Sequence, residues 1–548
     1  MVKKSIKFLN RYVVLTYFLF GFLFWHLAKD MLQVRSDGWY VGQVNLYGDL
    51  VFHLGFINKF LATNSVLVGN PIYASEKPDY PIFADFVTAQ IARIAGVDFA
   101  LFITTFTVGI LTIYLMRNFI LNFIKSDKII FLALLIFFLN GGFGFYYFFQ
   151  DLANSHRPFL DFITSLPHEY TDIKEKGYWW INVYLAYFLP QRTFLFAFPI
   201  TIAILNLLYL GYRRSKTLLF VIAGLLCGTL PLVQAHSLFF IFAISLYFSI
   251  VTIFSSKFNK TVILNWLVFG VITALLAIPL FHAISSLSNP LKFVKIEPGW
   301  TSQENLIWFW LKNLGIFAPV LIAALIWLFG KKHLFYLYIP FFLIFIISNI
   351  FVFQPWNFDN SKLLIYWYFA SAVIVAYFLY DKLLSEPGTK RIFGIVIIFI
   401  MILSGSLDLF RTFTKVTSYQ IFTNQDLAIA ESVKLLTPKN SIFVTASSHN
   451  HPIPALTGRS TLVGFHGWLW SHGIPYEERA NDVGRIYLGG KSAEDLIKKY
   501  KVNYVTIGPH ERQEFKINES YFNQFPQTSI AGDWRLYDVS NLWSNSNR

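Results

Sequence analysis

The chain is dominated by long apolar runs that alternate with short polar segments. A run of about twenty residues is what an α-helix needs to cross the hydrocarbon core of a bilayer. The pattern predicts an α-helical polytopic membrane protein with about eleven transmembrane helices. The predicted spans lie near residues 12–30, 97–116, 128–149, 193–211, 217–235, 237–255, 261–281, 306–329, 334–353, 363–381 and 391–410.

Basic residues cluster in every second loop between these runs. Because cytoplasmic loops of membrane proteins are enriched in Lys and Arg, the pattern predicts a cytoplasmic N-terminus. An odd number of spans then places everything after Arg411 outside the cytoplasm, in a multi-pass protein of the cell (plasma) membrane. The basic residues of the predicted inner loops are Lys3, Lys4, Lys7, Arg11, Arg117, Lys125, Lys128, Arg213, Arg214, Lys216, Lys257, Lys260, Lys331, Lys332, Lys382, Lys390 and Arg391.

The predicted outer segments are the longer and more polar ones. Residues 1–410 form the predicted transmembrane domain, and its first outer loop, 31–96, has room for two surface helices near 49–62 and 82–94. Residues 411–425 are a predicted linker. The composition of 426–548 is that of a soluble, extracytoplasmic α/β domain, with strands predicted at 441–446, 460–465 and 503–508 and a helix at 493–500.

Composition agrees with a membrane protein and argues against nucleic acid as a partner. Hydrophobic residues make up 55% of the 548 positions and charged residues only 14%, whereas the net charge is +14. That positive charge lies in the short loops, where it is a topology signal. The single cysteine, Cys227, excludes an intramolecular disulfide and a cysteine-based metal site.

The first candidate for chemistry is Asp49, which directly follows the first span in NLYGDLVFHLGF. A helix beginning there places His53 one turn later on the same face. An acid and an imidazole at this spacing can share a proton or a divalent cation, Mg²⁺ or Mn²⁺. The alternative is that Asp49 only caps the helix. Asp85, in YPIFADF, is expected on the polar face of the second surface helix; the alternative is that it assists Asp49 and His53.

Further polar residues stand at the outer ends of spans. Gln191 and Arg192 occur in YFLPQRTF, where a guanidinium suits bidentate phosphate contact or serves as an interfacial anchor. His236, in PLVQAHSL, falls at a tight outer turn, where an imidazole acts on a substrate or completes a structural hydrogen bond. Asn313, in WFWLKNLGIF, lies in the outer half of a span, where a polar group faces a cavity or a partner.

The sharpest outer cluster is PWNFDNSKLLIYWY. Asp359, Asn360 and Lys362 stand at the entrance to the tenth span beside several aromatic residues. An aromatic belt at the interface explains the Trp and Tyr residues but not the charges. The alternative to a substrate-binding role is that Asp359 and Lys362 simply pair with each other.

In the C-terminal domain, the segment HNHPIPALTGRSTLVGFHGWLWSHG is rich in His, Gly and Trp. The spacing of its histidines matches no standard zinc site. We interpret the segment as a docking loop that faces the membrane domain. Its candidate substrate-binding residues are Arg459 and His466, and its tryptophans, Trp468 and Trp470, can stack on a sugar.

Topology alone places all of these residues on one side of the bilayer, although unrelated structural residues would be scattered over both. The combination resembles the GT-C class of membrane glycosyltransferases. The resemblance covers the whole chain and is carried by the Asp49 segment with its surface helices, by LPQR at 189–192 and by FDNSK at 358–362.

This resemblance implies transfer of a sugar from a polyprenyl-phosphate-linked donor to a lipid, glycan or protein acceptor on the outer face of the cell envelope. Asp49 would act as the general base or organise the acceptor, and Arg192 and Lys362 would bind the donor's phosphate. His53, His236 and Asp359 would line the site. Two alternatives stay open: a transporter or flippase of lipid-linked glycans, and a non-catalytic membrane scaffold.

Overall fold

The computed structural model describes residues 10–63, 65–285, 293–414 and 416–544. The N-terminal lysines Lys3, Lys4 and Lys7, on which part of the topology prediction rests, lie outside these ranges. The helices up to residue 413 are α1 (Arg11–Lys29), α2 (Val44–Ala62), α3 (Phe83–Ala95), α4 (Val97–Leu121), α5 (Asp127–Phe138), α6 (Phe145–Asn154), α7 (Phe159–Ile163), α8 (Arg192–Arg214), α9 (Thr217–Gly228), α10 (Leu230–Val233), α11 (Ala235–Ser255), α12 (Lys260–Ile284), α13 (Leu306–Leu314), α14 (Phe317–Leu328), α15 (Lys332–Ile350), α16 (Ser361–Leu379) and α17 (Thr389–Phe413).

Within the described ranges, eight helices are long and apolar enough to cross a membrane, and the bent pair α13–α14 makes a ninth. The chain is therefore an integral membrane protein. Three of the eleven predicted spans have a different form. The 128–149 run is divided between α5, which ends at Phe138, and α6. The 217–235 run is divided between α9 and α10, and α13 meets α14 at an angle of 98°.

Gly315 explains the bend between α13 and α14. Its φ of +59° ends α13, and a Cβ there would lie only 3.1 Å from the backbone of Gly142. A side chain in this left-handed conformation would be strained as well as crowded. The bend thus depends on a glycine that allows two backbones to approach each other.

The two helices predicted in the first outer loop are present as α2 and α3. They are not surface helices, because residues 50–60 of α2 are buried and α3 turns Asp85 inward. The loop also contains a small sheet. β2 (Gly38–Val41) pairs antiparallel with β1 (Gln33–Arg35) on one side and with a strand at Tyr419–Thr423 on the other. The segment predicted as a linker, 411–425, therefore contains a strand that ties the first outer loop to the C-terminal region.

The C-terminal region is α/β, as predicted. Its central sheet has three parallel strands followed by an antiparallel hairpin. In chain order the remaining strands are β3 (Lys295–Ile296), β4 (Phe351–Val352), β5 (Tyr419–Thr423), β6 (Ile442–Val444), β7 (Ser460–Thr461), β8 (Tyr504–Ile507), β9 (Gln527–Ala531) and β10 (Trp534–Asp538), and the sheet order is β7-β6-β8-β10-β9. The helices are α18 (Asn424–Leu436), α19 (Pro452–Leu456), α20 (His466–Ser471), α21 (Glu477–Leu488), α22 (Lys491–Tyr500), α23 (Pro509–Glu514), α24 (Glu519–Phe522) and α25 (Asn541–Ser544).

The predicted strands at 441–446, 460–465 and 503–508 correspond to β6, β7 and β8, and the predicted helix at 493–500 to α22. This region packs on α2: Asn58 donates to the Ala455 carbonyl at 3.0 Å, and Lys59 Nζ to Ser460 Oγ at 2.8 Å. We call this end of the helical bundle the capped end.

Candidate active site

An open cavity of about 220 Å³ lies at the capped end. Its walls come from α2, from the capped ends of α11, α12 and α16, and from the segment around α20. It brings together seven residues that the sequence singled out. These are Asp49, His53, Gln191, His236, Asp359, Lys362 and Trp468.

Asp49 lies in the second turn of α2 and does not cap it. The helix begins at Val44, and the side chain of Gln43 accepts the capping hydrogen bond from Leu46 N. Within the described ranges, the Asp49 carboxylate takes part in no hydrogen bond and no ion pair. Burial raises its pKa, and the nearby His53 and Lys362 oppose that rise. Asp49 is thus a carboxylate that faces the cavity and is available to accept a proton.

His53 faces the same cavity but is held from behind. Its Nδ1 lies 2.9 and 3.0 Å from the two carboxylate oxygens of Asp85, and the side chains are 2% and 0% exposed. The prediction that Asp85 lies on the polar face of a surface helix was wrong, because α3 turns it into the interior. A single acid in the otherwise apolar stretch YPIFADF was the only signal for this position.

Lys362 and Asp359 form an ion pair of 2.9 Å in the cavity wall, both largely buried. Asp359 lies in a short 3₁₀ turn over Asn357–Asn360, and Lys362 lies in the first turn of α16, which follows directly. The helical backbone brings these two side chains, three residues apart in sequence, to the same side. The pairing that sequence reasoning gave as an alternative is therefore present. An ammonium has three N–H donors. One points to Asp359, so two can reach a ligand.

Three buried polar atoms of cavity residues have no hydrogen-bond partner within the described ranges. They are Gln191 Oε1, Gln234 Nε2 and His236 Nε2. Buried polar groups in folded proteins are almost always hydrogen-bonded, and an exception needs an explanation. A polar ligand or ordered water in the cavity can satisfy these donors and acceptors.

Two predicted residues lie inside the helical bundle, outside this cavity. Arg192 is fully buried, and its terminal nitrogens donate to Thr88 and Thr104 at 2.7 Å and to Thr105 at 3.2 Å. Asn313 accepts from the backbone N–H groups of residues 179 and 180, at 2.7 and 2.9 Å. Both side chains stabilise neighbouring parts of the protein, so the structure does not bring them to the cavity.

Asn360, Arg459 and His466 also lie apart from it. Asn360 donates to the Ser348 carbonyl at 3.0 Å. Arg459 donates to the carbonyls of Thr457 and Lys434 at 2.8 and 3.0 Å, which fixes the end of α18. The His466 ring stacks on Tyr476 with 4.7 Å between centroids. None of the three lines the cavity as described.

The C-terminal region forms one wall of the cavity, and the predicted docking loop contacts α2. His449 Nε2 lies 2.9 Å from the Gly48 carbonyl, and Trp468 Nε1 donates to the same oxygen at 3.3 Å. His472 lies in the cavity wall against Phe52, and burial lowers its pKa to about 4. Sequence reasoning weighed His472 only as a zinc ligand and missed it as a cavity residue.

Within the described ranges, no three His, Cys, Asp or Glu side chains are grouped as metal ligands. We therefore assign no metal centre. The Mg²⁺ or Mn²⁺ that the spacing of Asp49 and His53 allows stays a prediction.

No protein-family model and no curated protein matches this sequence. Several solved structures align with this chain. The Archaeoglobus fulgidus oligosaccharyltransferase in complex with Zn and sulfate aligns with a TM-score of 0.52 and 12% identity, over 90% of this chain and 67% of its own. The arabinofuranosyltransferase AftD from Mycobacteria aligns with a TM-score of 0.56 and 10% identity, over 97% of this chain and 40% of its own. ArnT from Cupriavidus metallidurans in the apo state aligns with a TM-score of 0.48 and 11% identity, over 97% of this chain and 99% of its own.

The likeness to the oligosaccharyltransferase and to AftD shows that this chain has the GT-C fold, as the sequence predicted. The chain spans 40% of the length of AftD. At these identities the likeness concerns the fold, and the activity has to be argued from the cavity.

Proposed function

We propose that this protein is a membrane glycosyltransferase that moves a sugar from a polyprenyl-phosphate-linked donor to a lipid, glycan or protein acceptor on the outer face of the membrane. One observation carries the proposal. The carboxylate of Asp49, which has no partner in the described chain, and the ammonium of Lys362 face the same cavity. A base and a cation so placed suit the attacking hydroxyl and the departing phosphate of one reaction.

Asp49 takes the proton of the attacking acceptor hydroxyl in this proposal. The hydroxyl oxygen forms the new bond to the sugar's anomeric carbon while the bond from that carbon to the phosphate oxygen breaks. Burial raises the pKa of Asp49, and a carboxylate with a raised pKa is a stronger base. This role was expected from the resemblance. It is supported because Asp49 does not cap α2 and, within the described ranges, forms no ion pair.

Lys362 binds the donor's phosphate in this proposal, with its position set by Asp359. Charge develops on the phosphate oxygen as the sugar leaves, so a fixed cation stabilises the transition state more than the ground state. Gln234 and His236 add polar atoms without protein partners in the described ranges. Arg192, expected from the resemblance to share this task, instead donates hydrogen bonds to threonines of α3 and α4.

The lipid character of the donor is supported by the position of the cavity. Phe281 and Ile284, at the end of α12, form one wall. Only 11% of the 18-residue apolar stretch of α12 is buried inside the protein. This helix therefore lies at the edge of the bundle, next to lipid. A donor anchored in the bilayer can thus bring its phosphate to the cavity from the side.

The reaction is tested with the purified full-length protein in detergent. The protein is incubated with a mixed pool of polyprenyl-phosphate sugars and with membrane extract as acceptor, and free polyprenyl phosphate is measured by mass spectrometry. We expect release that requires both protein and acceptor. No release from any donor by well-folded protein, together with movement of lipid-linked glycans across proteoliposome membranes, would instead establish a transporter.

A further inference from the structure

The buried pair formed by Asp85 on α3 and His53 on α2 lies next to Asp49, and neither the base nor the phosphate-binding cation of the proposed reaction belongs to it. Both side chains are buried, and both oxygens of Asp85 face the same ring nitrogen of His53, at 2.9 and 3.0 Å. One turn further along α3, Thr88 accepts a hydrogen bond from Arg192 Nη2 at 2.7 Å, which places the guanidinium on the side of Asp85 away from the cavity.

The two oxygens of Asp85 both face Nδ1, which is the geometry of a carboxylate that accepts a hydrogen bond from this nitrogen. With Nδ1 of His53 as the donor, Nε2 is the nitrogen with a free lone pair in the neutral ring. Within the described ranges Nε2 has no partner, and the ring lines the cavity. Tyr80 packs edge-on against the ring, with 5.8 Å between centroids, which limits its rotation.

His53 follows Asp49 by four residues on α2, so the two side chains share a helix face. We infer that Asp85 is a positioning residue that holds His53 as the proton acceptor for Asp49, which deepens the proposed function and rests on it. The proton leaves the acceptor's O–H bond, protonates the Asp49 carboxylate and then passes to His53 Nε2. The resulting imidazolium faces the buried Asp85 carboxylate, and Asp49 regains its charge. The imidazolium then releases this proton from Nε2 to water in the open cavity, which restores the neutral ring for the next turnover.

The test is a double-mutant cycle on the full-length protein, with Asp85→Asn, His53→Gln and the double variant. Asparagine offers an N–H to Nδ1 and so favours the other tautomer of His53, in which Nε2 carries the hydrogen. We expect kcat to fall by about 10²-fold in Asp85→Asn, while KM for the donor changes less than about threefold. The double variant should be no slower than His53→Gln, because Asp85 acts only through His53.

Asp98→Asn is the matched control, since Asp98 is an exposed acid in the first turn of α4. It should keep the wild-type kcat. Losses that multiply in the double variant, or a wild-type kcat in Asp85→Asn, would overturn the inference. If Asp85→Asn does not fold, His53→Gln decides alone, because glutamine keeps an N–H for Asp85 but has no basic nitrogen. A wild-type kcat in His53→Gln then overturns it.

This outcome is distinct from failure of the proposed function. A wild-type protein that transfers no sugar removes the glycosyltransferase itself. The other outcome is an active wild type, an inactive Asp49→Asn and a fully active Asp85→Asn. That result would leave the glycosyltransferase in place and remove only the role of Asp85 and His53.

Discussion

Among single residues, Lys362 gives the most direct test of phosphate binding. Replacing it by methionine keeps the apolar stem but removes the ammonium and leaves Asp359 without its partner. We expect Lys362→Met to raise KM for the donor at least about tenfold and to lower kcat as well, because the cation contributes to both binding and leaving-group stabilisation. Initial rates against donor concentration measure both constants.

Lys516→Met is the control for Lys362→Met. Lys516 is exposed in the C-terminal region, so its removal changes the charge of the protein by the same amount without reaching the cavity. Equal kinetics for the wild type and Lys362→Met would show that the phosphate is held elsewhere.

The pH dependence of the reaction reports on Asp49. A general base works in its deprotonated form, so activity is lost as the pH falls through its pKa. Burial raises that pKa above the ordinary value of 3.8. We therefore expect kcat/KM to fall on acidification with a midpoint above 3.8, and the residual activity of Asp49→Asn to lack this limb. A limb that persists unchanged in Asp49→Asn would assign it to another group.

At the scale of elements, the orientation of α2 depends on the C-terminal region. His449 and Trp468 both contact the carbonyl of Gly48, the residue before Asp49. Trp468→Phe keeps an aromatic ring and removes the N–H donor. The loss of one hydrogen bond of about 1 kcal/mol should lower kcat about fivefold. The matched control is Trp470→Phe, because Trp470 is 49% exposed; equal rates for both variants would mean that this contact does not position Asp49.

Periodicity predicted the elements that have a clear apolar stripe or run, which is why α2, α3, α22 and the strands β6 to β8 were found from the sequence. The irregular elements depend on tertiary contacts. The bend at Gly315 requires the backbone of Gly142 beside it, and the strand at Tyr419–Thr423 requires β2. A sequence pattern does not contain either partner.

The same limit applies to the site. A buried polar residue in an apolar segment signals that it needs a partner, but not which one. For Arg192 the partners are threonine hydroxyls, and for Arg459 they are backbone carbonyls. Asp49 and Lys362 carry the same kind of signal and instead face the cavity. Only the three-dimensional arrangement separates the two groups.

For the whole molecule, the distribution of basic loops predicts that the capped end faces outward. The only cysteine, Cys227, is buried, so single cysteines can be introduced in a Cys227→Ser background. On intact cells, we expect a membrane-impermeant maleimide to label Lys516→Cys in the C-terminal region. Lys216→Cys, between α8 and α9, should be labelled only after permeabilisation. The reverse pattern would invert the topology and place the cavity in the cytoplasm.

The measurement that tests the central claim most directly compares wild type with Asp49→Asn for acceptor-dependent release of polyprenyl phosphate. Asparagine preserves the size of the side chain and removes its basicity, so the variant should fold as the wild type does. We expect it to lose at least about 10²-fold in kcat. Release by the folded Asp49→Asn at the wild-type rate would contradict the account, since the cavity would then perform its chemistry without the carboxylate on which the proposal rests.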